Sequence, residues 1–385
     1  MRQSLRVCYF GTYRANYPRN QIMIEGLRRT GAIVIECHKT LWLGAEDRVK
    51  AASGGWLQPA FIVRAVRAYW QLLWAYRSVG DYDVMVLGYP GQFDVFLART
   101  LTWLRRKPLV LDVLMSLYLI AKERGLVAKS PLTGRLIHLL EKWALRLPDW
   151  LIIDTPAYRT WLVENYNLSR ERFRLVPIGA DDRIFKPIST DGRGAKFRLV
   201  HHSTFLPGTG VDIIIEAAKI LANEPDIHFD LVGEGQFKSQ AVARAEQLGL
   251  QNVTFFEWVD KKDLPRLVAE ADACLGVFAR AEQSEMTVVN KIYEALAMSK
   301  PLITGDSLTV REHIAHGREA LLVERGNPQA LAEAIVALRD NPSLREKLAA
   351  QGHRLFCENF TVAHIGVQAR RHLDEILSPQ RAAGH

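Results

Sequence analysis

Cysteine is scarce: the 385 residues hold four, Cys8, Cys37, Cys274 and Cys357, and no two form a Cys-x-x-Cys pair. That argues against a zinc site or a disulfide framework, and three of the thiols sit in apolar runs, as core residues do. Long apolar runs are missing too. No uncharged stretch reaches the roughly 18 residues that a membrane-spanning helix needs, and Met-Arg-Gln-Ser-Leu-Arg-Val-Cys-Tyr-Phe enters a strand directly, without a signal-peptide pattern. Low-complexity tracts and internal repeats are absent. The first apolar run leads into Gly11-Thr-Tyr-Arg-Ala-Asn16 rather than Gly-x-Gly-x-x-Gly, which argues against a dinucleotide-binding turn. The expectation is a folded protein in a reducing, cytoplasmic compartment.

With 48% apolar and 24% charged residues the composition is that of folded domains, and the length exceeds what one core serves, so two domains of similar size are expected. The net charge of +8 is unevenly placed. Residues 1 to 185 hold 27 Lys+Arg against 16 Asp+Glu, or +11, and the remainder holds 23 against 26, or −3. A basic field confined to one half would attract anionic lipid headgroups or an acidic acceptor. No nucleic-acid motif accompanies it, so nucleic acid is not an expected partner. Trp56 to Arg77 is an aromatic-rich helical stretch with Arg64, Arg67 and Arg77 interspersed. It either rests on an anionic membrane surface, at the inner face of the plasma membrane, or packs as an ordinary amphipathic helix on a core.

Short apolar runs at 5 to 10, 32 to 37, 83 to 87, 108 to 113, 150 to 154 and 173 to 177 alternate with helix-like segments. Runs at 197 to 202, 228 to 233, 253 to 257, 272 to 278, 301 to 304 and 320 to 323 repeat the pattern. This predicts an α/β protein with two doubly wound parallel sheets. The expected parts are a Rossmann-like domain over 1–185, a polar glycine-containing linker over 186–196, a second Rossmann-like domain over 197–355, and a final helix and tail over 356–385. Ligands of such sheets gather at the carboxyl ends of the strands, which places the expected cleft between the domains.

The densest signal is Asn290-Lys-Ile-Tyr-Glu-Ala-Leu-Ala-Met-Ser-Lys-Pro-Leu-Ile-Thr304. Asn290 suits a helix start, Ile292, Tyr293 and Leu296 make an apolar stripe, and Pro301 ends the helix before a short strand. Asn290 and Glu294 share an azimuth roughly opposite Ile292 and Leu296, so the polar pair is expected to face the cleft. This segment resembles the donor-binding helix of family 4 glycosyltransferases, retaining sugar transferases of the GT-B fold. The resemblance implies two Rossmann-like domains facing across a cleft, with a last helix, roughly 361 to 377 and anchored by Phe360 and Ile365, crossing back to the first. It further implies Glu294 on the ribose of a nucleotide diphosphate sugar and Lys291, with the helix N-terminus, on the leaving diphosphate.

His201-His-Ser-Thr-Phe-Leu-Pro-Gly-Thr-Gly-Val-Asp212 resembles the family's Gly-Arg-x-x-x-x-Lys-Gly-x-Asp, but the two cations fall on Thr204 and Thr209. Ser203, Thr204, Thr209 and backbone amides are the implied replacements, with His201 or His202 as a supplement. The family's first glutamate falls on Met286, with Glu282 and Glu285 out of register, so backbone from 279 to 287 is left to hold the sugar. Val232-Gly-Glu-Gly-Gln236 resembles the family's turn near the nucleotide, which makes Gly233 and Glu234 donor candidates, and Val259 lies where backbone reads the base. In the first half, Gly11 and Thr12 match a small-residue loop against the diphosphate. Arg14, Arg19 and Ser116 are acceptor-side candidates, as are Asp154-Thr155, and Asp112 is the candidate for bonding an acceptor hydroxyl. For Asp112 a buried carboxylate bonded to backbone is the equal alternative.

The activity implied is retaining, metal-independent transfer of a sugar to a glycan or lipid-linked acceptor, with no cofactor and the nucleotide sugar as co-substrate. A noncatalytic scaffold, suggested by Thr204, Thr209 and Met286, and a nucleotide-sugar epimerase are the rivals.

Overall fold

The computed structural model describes residues 4–41, 58–189 and 196–382. Trp56 and Leu57, residues 190–195 of the expected linker, and the tail beyond 382 lie outside the described residues. The chain divides into two compact units: one runs to Pro177 and resumes at Val362, and the other is Ile178–Thr361.

In the first unit six parallel strands, β1 (Arg6–Gly11), β2 (Ile33–His38), β3 (Val84–Leu87), β4 (Leu109–Asp112), β5 (Trp150–Ile153) and β6 (Phe173–Leu175), are ordered β2-β1-β3-β4-β5-β6. The central strands are buried on both faces, which is why they appear as unbroken apolar runs instead of alternating ones. Helix α1 (Pro18–Arg29) connects β1 to β2. Helices α2 (Pro59–Arg77), α3 (Val95–Arg105), α4 (Leu117–Glu123) and α5 (Pro131–Arg146) lie in the connections that lead from β2 through β3 and β4 to β5. The last helix, Val362–Ala382, belongs to this unit: Ile365, Ala369, Leu373 and Ile376 share a core with Ile22 and Leu27 of α1.

The second unit repeats the design with β7 (Phe197–His202), β8 (Ile227–Val232), β9 (Val253–Phe256), β10 (Ala273–Leu275), β11 (Leu302–Gly305) and β12 (Leu321–Val323), ordered β12-β11-β10-β7-β8-β9 and all parallel. All twelve apolar runs of the sequence are strands. Residues 178–185 pack in this unit, where Ala180 N donates to Phe360 O at 3.3 Å and Phe185 is 1% exposed. Strand order reverses direction beside β7, between it and β10, and beside β1, between it and β3. A crevice opens at the carboxyl ends at such a switch point.

Candidate functional site

In the second unit the switch point holds a polar cluster. At the end of β7, His201 is fully buried: Nδ1 faces Leu275 O of β10 at 3.1 Å and Nε2 faces Ser203 Oγ at 3.0 Å. Leu275 O can only accept, so the network assigns the proton to Nδ1 and leaves Nε2 as acceptor, which Lys291 Nζ also reaches at 3.4 Å. His201 is thus a neutral positioning residue, and burial beside Lys291 holds its pKa well below the ordinary value. The neighbouring His202 turns the other way, Nε2 donating to Glu294 Oε2 at 2.8 Å.

Lys291 and Glu294 come from helix α6 (Asn290–Ala297), whose residues from Lys291 to Ala297 are all buried. The sequence expectation of an apolar face and an open polar face is corrected here, since the helix is enclosed all round. Asn290 is the first helical residue and not its cap; Val289 holds the cap position with no side-chain bond. Burial pushes Lys291 down to about 7 against the pull of Glu294. For Glu294 burial acts upward, but the His202 hydrogen bond and the charges of His202, Lys261 and Lys291 outweigh it and leave the carboxyl below its usual range.

Lys261 is a residue that the sequence reading missed. Its Nζ is buried without a hydrogen-bond partner and lies 5.6 Å from the Phe185 ring. Burial lowers its pKa, opposed by the charges of Glu294 and Asp181. A signal existed: Asp260-Lys-Lys-Asp263 follows β9 at the carboxyl end of the sheet, where ligand-binding cations belong.

The residues expected to replace the missing cations divide. Ser203 bonds His201, and Thr204 is half-buried beside it. Thr209 Oγ1 donates to Leu206 O at 2.8 Å within its own turn, so its hydroxyl is committed to backbone. Gly233 has φ +136, and a Cβ there would meet Ser203 O at 1.9 Å. Its demonstrable task is the close packing of the β7 and β8 loops, stitched by Ser203 N to Val232 O at 2.9 Å and Phe205 N to Glu234 O at 3.0 Å. Glu234 pairs with Lys238 at 2.5 Å, and Val259 is half-buried. The segment at 279–287 is held from below by Arg325, 5% exposed, whose guanidinium donates to Ala279 O, Ser284 Oγ and Asp306 O.

In the first unit the candidate residues have internal partners. Asp112 and Arg19 are both fully buried and form a two-pronged pair, Nε to Oδ2 at 2.7 Å and Nη2 to Oδ1 at 3.1 Å, while Arg19 Nη1 donates to Val176 O and Pro177 O. Ser116 caps α4 and donates to the buried Glu141 at 2.6 Å, which also accepts from Leu117 N, Tyr118 N and Tyr166 OH. At the β1 switch point Thr12 donates both N and Oγ1 to Asp94, at 2.6 and 2.9 Å, and Tyr69 OH adds a third bond at 2.9 Å. Gly11, at φ +131, is required there because a Cβ would meet Asp94 Oδ2 at 2.4 Å. The loop expected to cradle a diphosphate therefore embraces an internal carboxylate. Arg14 is half-buried over the Tyr17 ring at 5.4 Å. Asp154 is 3% exposed and burial raises its carboxyl to about 7, with Arg19 opposing; Thr155 caps the next helix. Asp81 and Asp83, an Asp-x-Asp triplet, are at the amino end of β3 and bind Lys107 and Arg6 N. Among the described residues no group of three His, Cys, Asp or Glu is arranged to hold a metal.

Residues 196–341 match the family model described as Glycosyl transferases group 1. Among relatives, the mannosylfructose-phosphate synthase of Agrobacterium fabrum is 26% identical over 238 residues, 57% of this chain and 51% of that one. The alpha-D-kanosaminyltransferase of Streptomyces kanamyceticus is 24% identical over 273 residues, 68% and 69% of the two chains. The chain thus spans about half the length of the first of these relatives. Anabaena HepE, solved in complex with UDP, superposes with a TM-score of 0.69 at 19% identity, covering 97% of this chain and 100% of that one. Sucrose-phosphate synthase from Thermosynechococcus elongatus superposes at 0.72 and 16% identity, covering 98% and 100%. The fold is shared with both.

Proposed function

From the match of residues 196–341 to the group 1 glycosyl transferases we propose that the chain is a member of that family and moves a sugar from a nucleotide diphosphate sugar to an acceptor hydroxyl, with retention and without a metal. The observation that carries this reading is the convergence of Glu294, Lys291 and Lys261 at the carboxyl ends of β7 and β10, with His202 fixing the carboxylate. A carboxylate held ionised is the acceptor a ribose diol needs, and buried ammonium groups offset the charge that develops on a leaving diphosphate. Lys291 and Lys261 take over the work of the two family cations that Thr204 and Thr209 replace. The leaving phosphate then receives the acceptor's proton, so the protein contributes positioning and electrostatics. A glycan or lipid-linked acceptor fits relatives such as the phosphatidylinositol monomannoside mannosyltransferase of Corynebacterium glutamicum, 26% identical over 197 residues.

Calorimetry with UDP-, GDP-, ADP- and dTDP-sugars, starting from UDP-glucose, tests the reading. One donor binds, and it is consumed only when an acceptor is supplied. Failure of every donor to bind at millimolar concentration makes the protein a noncatalytic scaffold, and isomerisation of the donor alone makes it an epimerase.

A further inference from the structure

The outer surface of the first unit carries an apolar layer that the transfer reaction does not use. Helix α2 is apolar on two sides. Ala68, Leu72 and Tyr76 face the core, yet Val63, Val66, Trp70 and Trp74, at helical spacing, are 67%, 65%, 61% and 53% exposed. Helix α5 repeats this: Leu132, Leu136, Leu139 and Trp143 follow one another at helical spacing along its solvent side, all about half exposed or more. Helix α3 adds Phe96, Trp103 and Leu104. A solvent-facing helix side is ordinarily polar.

The three helices form one layer. Each lies in a connection that steps the same way across the sheet, from β2 to β3, β3 to β4 and β4 to β5, and right-handed crossovers put such helices on one face. Phe61, Val66 and Trp70 of α2 line a groove with Leu97 of α3. Arg99 of α3 pairs with Asp149, just beyond α5, at 2.9 Å.

Charge identifies the occupant. The three helices carry eight Lys and Arg and a single acid, Glu141, which is fully buried, so they present no acid to solvent. Arg67, Arg77 and Arg135 are exposed among the apolar residues, and Arg77 stacks on Trp74 at 4.3 Å. A second copy of this face would bring like charges together. Aromatic and aliphatic groups interleaved with exposed arginines match the headgroup boundary of an anionic bilayer, which accepts both. No described helix is long and apolar enough to cross a membrane, so contact would be on its surface. We propose that the outer face of α2, α3 and α5 is a docking surface for anionic lipid membranes.

Flotation with phosphatidylcholine vesicles, with and without phosphatidylglycerol, tests this separately from any catalytic readout. The protein is expected to float with the anionic vesicles only and to be released by salt. Trp70→Ser with Trp143→Ser, and Arg67→Glu with Arg135→Glu, each lower the bound fraction by about tenfold or more at unchanged thermal stability. Equal flotation with both vesicle types, flotation with neither, insensitivity to these substitutions, or a self-association that the tryptophan changes abolish would overturn the proposal.

Discussion

Arg19 and Asp112 form a buried ion pair that bridges α1 and β4. Removing the guanidinium leaves Asp112 and the carbonyls of Val176 and Pro177 buried without their donor. Arg19→Met should therefore cost about 3–5 kcal/mol in urea unfolding, and a loss below about 1 kcal/mol would show that the pair is not what holds β4 to α1. Asp154 titrates in the opposite sense from a paired carboxylate. Its folded pKa, about 7, exceeds the unfolded value, so its contribution is complete below about pH 4 and is lost as pH rises through about 7. Asp154→Asn should flatten the stability profile across that window; a profile that is unchanged would place the carboxyl's titration elsewhere. Lys291, lowered to about 7, supplies a binding test. A diphosphate beside it favours the ammonium form, so donor binding takes up a proton and weakens as pH rises from about 7 toward about 9. Calorimetry in buffers of different ionisation enthalpy measures the uptake, and its absence would remove Lys291 from the contact.

At the scale of elements, the strands were legible because parallel strands buried on both faces are written as continuous apolar runs, and all twelve stand where the runs predict. Helix α6 was legible in position and wrong in setting. Apolar spacing locates a helix but says nothing about what covers its polar side, and Glu294 at 6% and Lys291 at 9% exposure are met by His202 and His201 respectively. The two histidines end strand β7, 90 and 92 residues away, a distance no local pattern spans. Asp94 closing on Thr12 was hidden for the same reason. The β7 and β8 loops give a prediction at this scale. Gly233→Ala must displace Ser203 and with it the turn that presents His202, so it should weaken donor binding and cost about 1–3 kcal/mol of stability, read by calorimetry and thermal melting. Native affinity in the variant would show that the loop contact does not position the site.

For the whole molecule, the charge asymmetry acquires a location. The +11 of residues 1 to 185 includes α2, α3 and α5, whose one acid, Glu141, is buried, while the second, nearly neutral half holds the family match and the Glu294 cluster. Surface attachment and donor binding would then be separable properties of separate units, and variants of the apolar layer should leave donor affinity untouched. The most direct measurement is a calorimetric titration of the bound nucleotide sugar into wild-type protein and Glu294→Gln, with the fold of the variant confirmed by its melting curve. Glutamine keeps the shape but loses the charge that His202, Lys261 and Lys291 surround, and donor affinity is predicted to fall by about tenfold or more. Equal affinity in a folded variant would contradict the account.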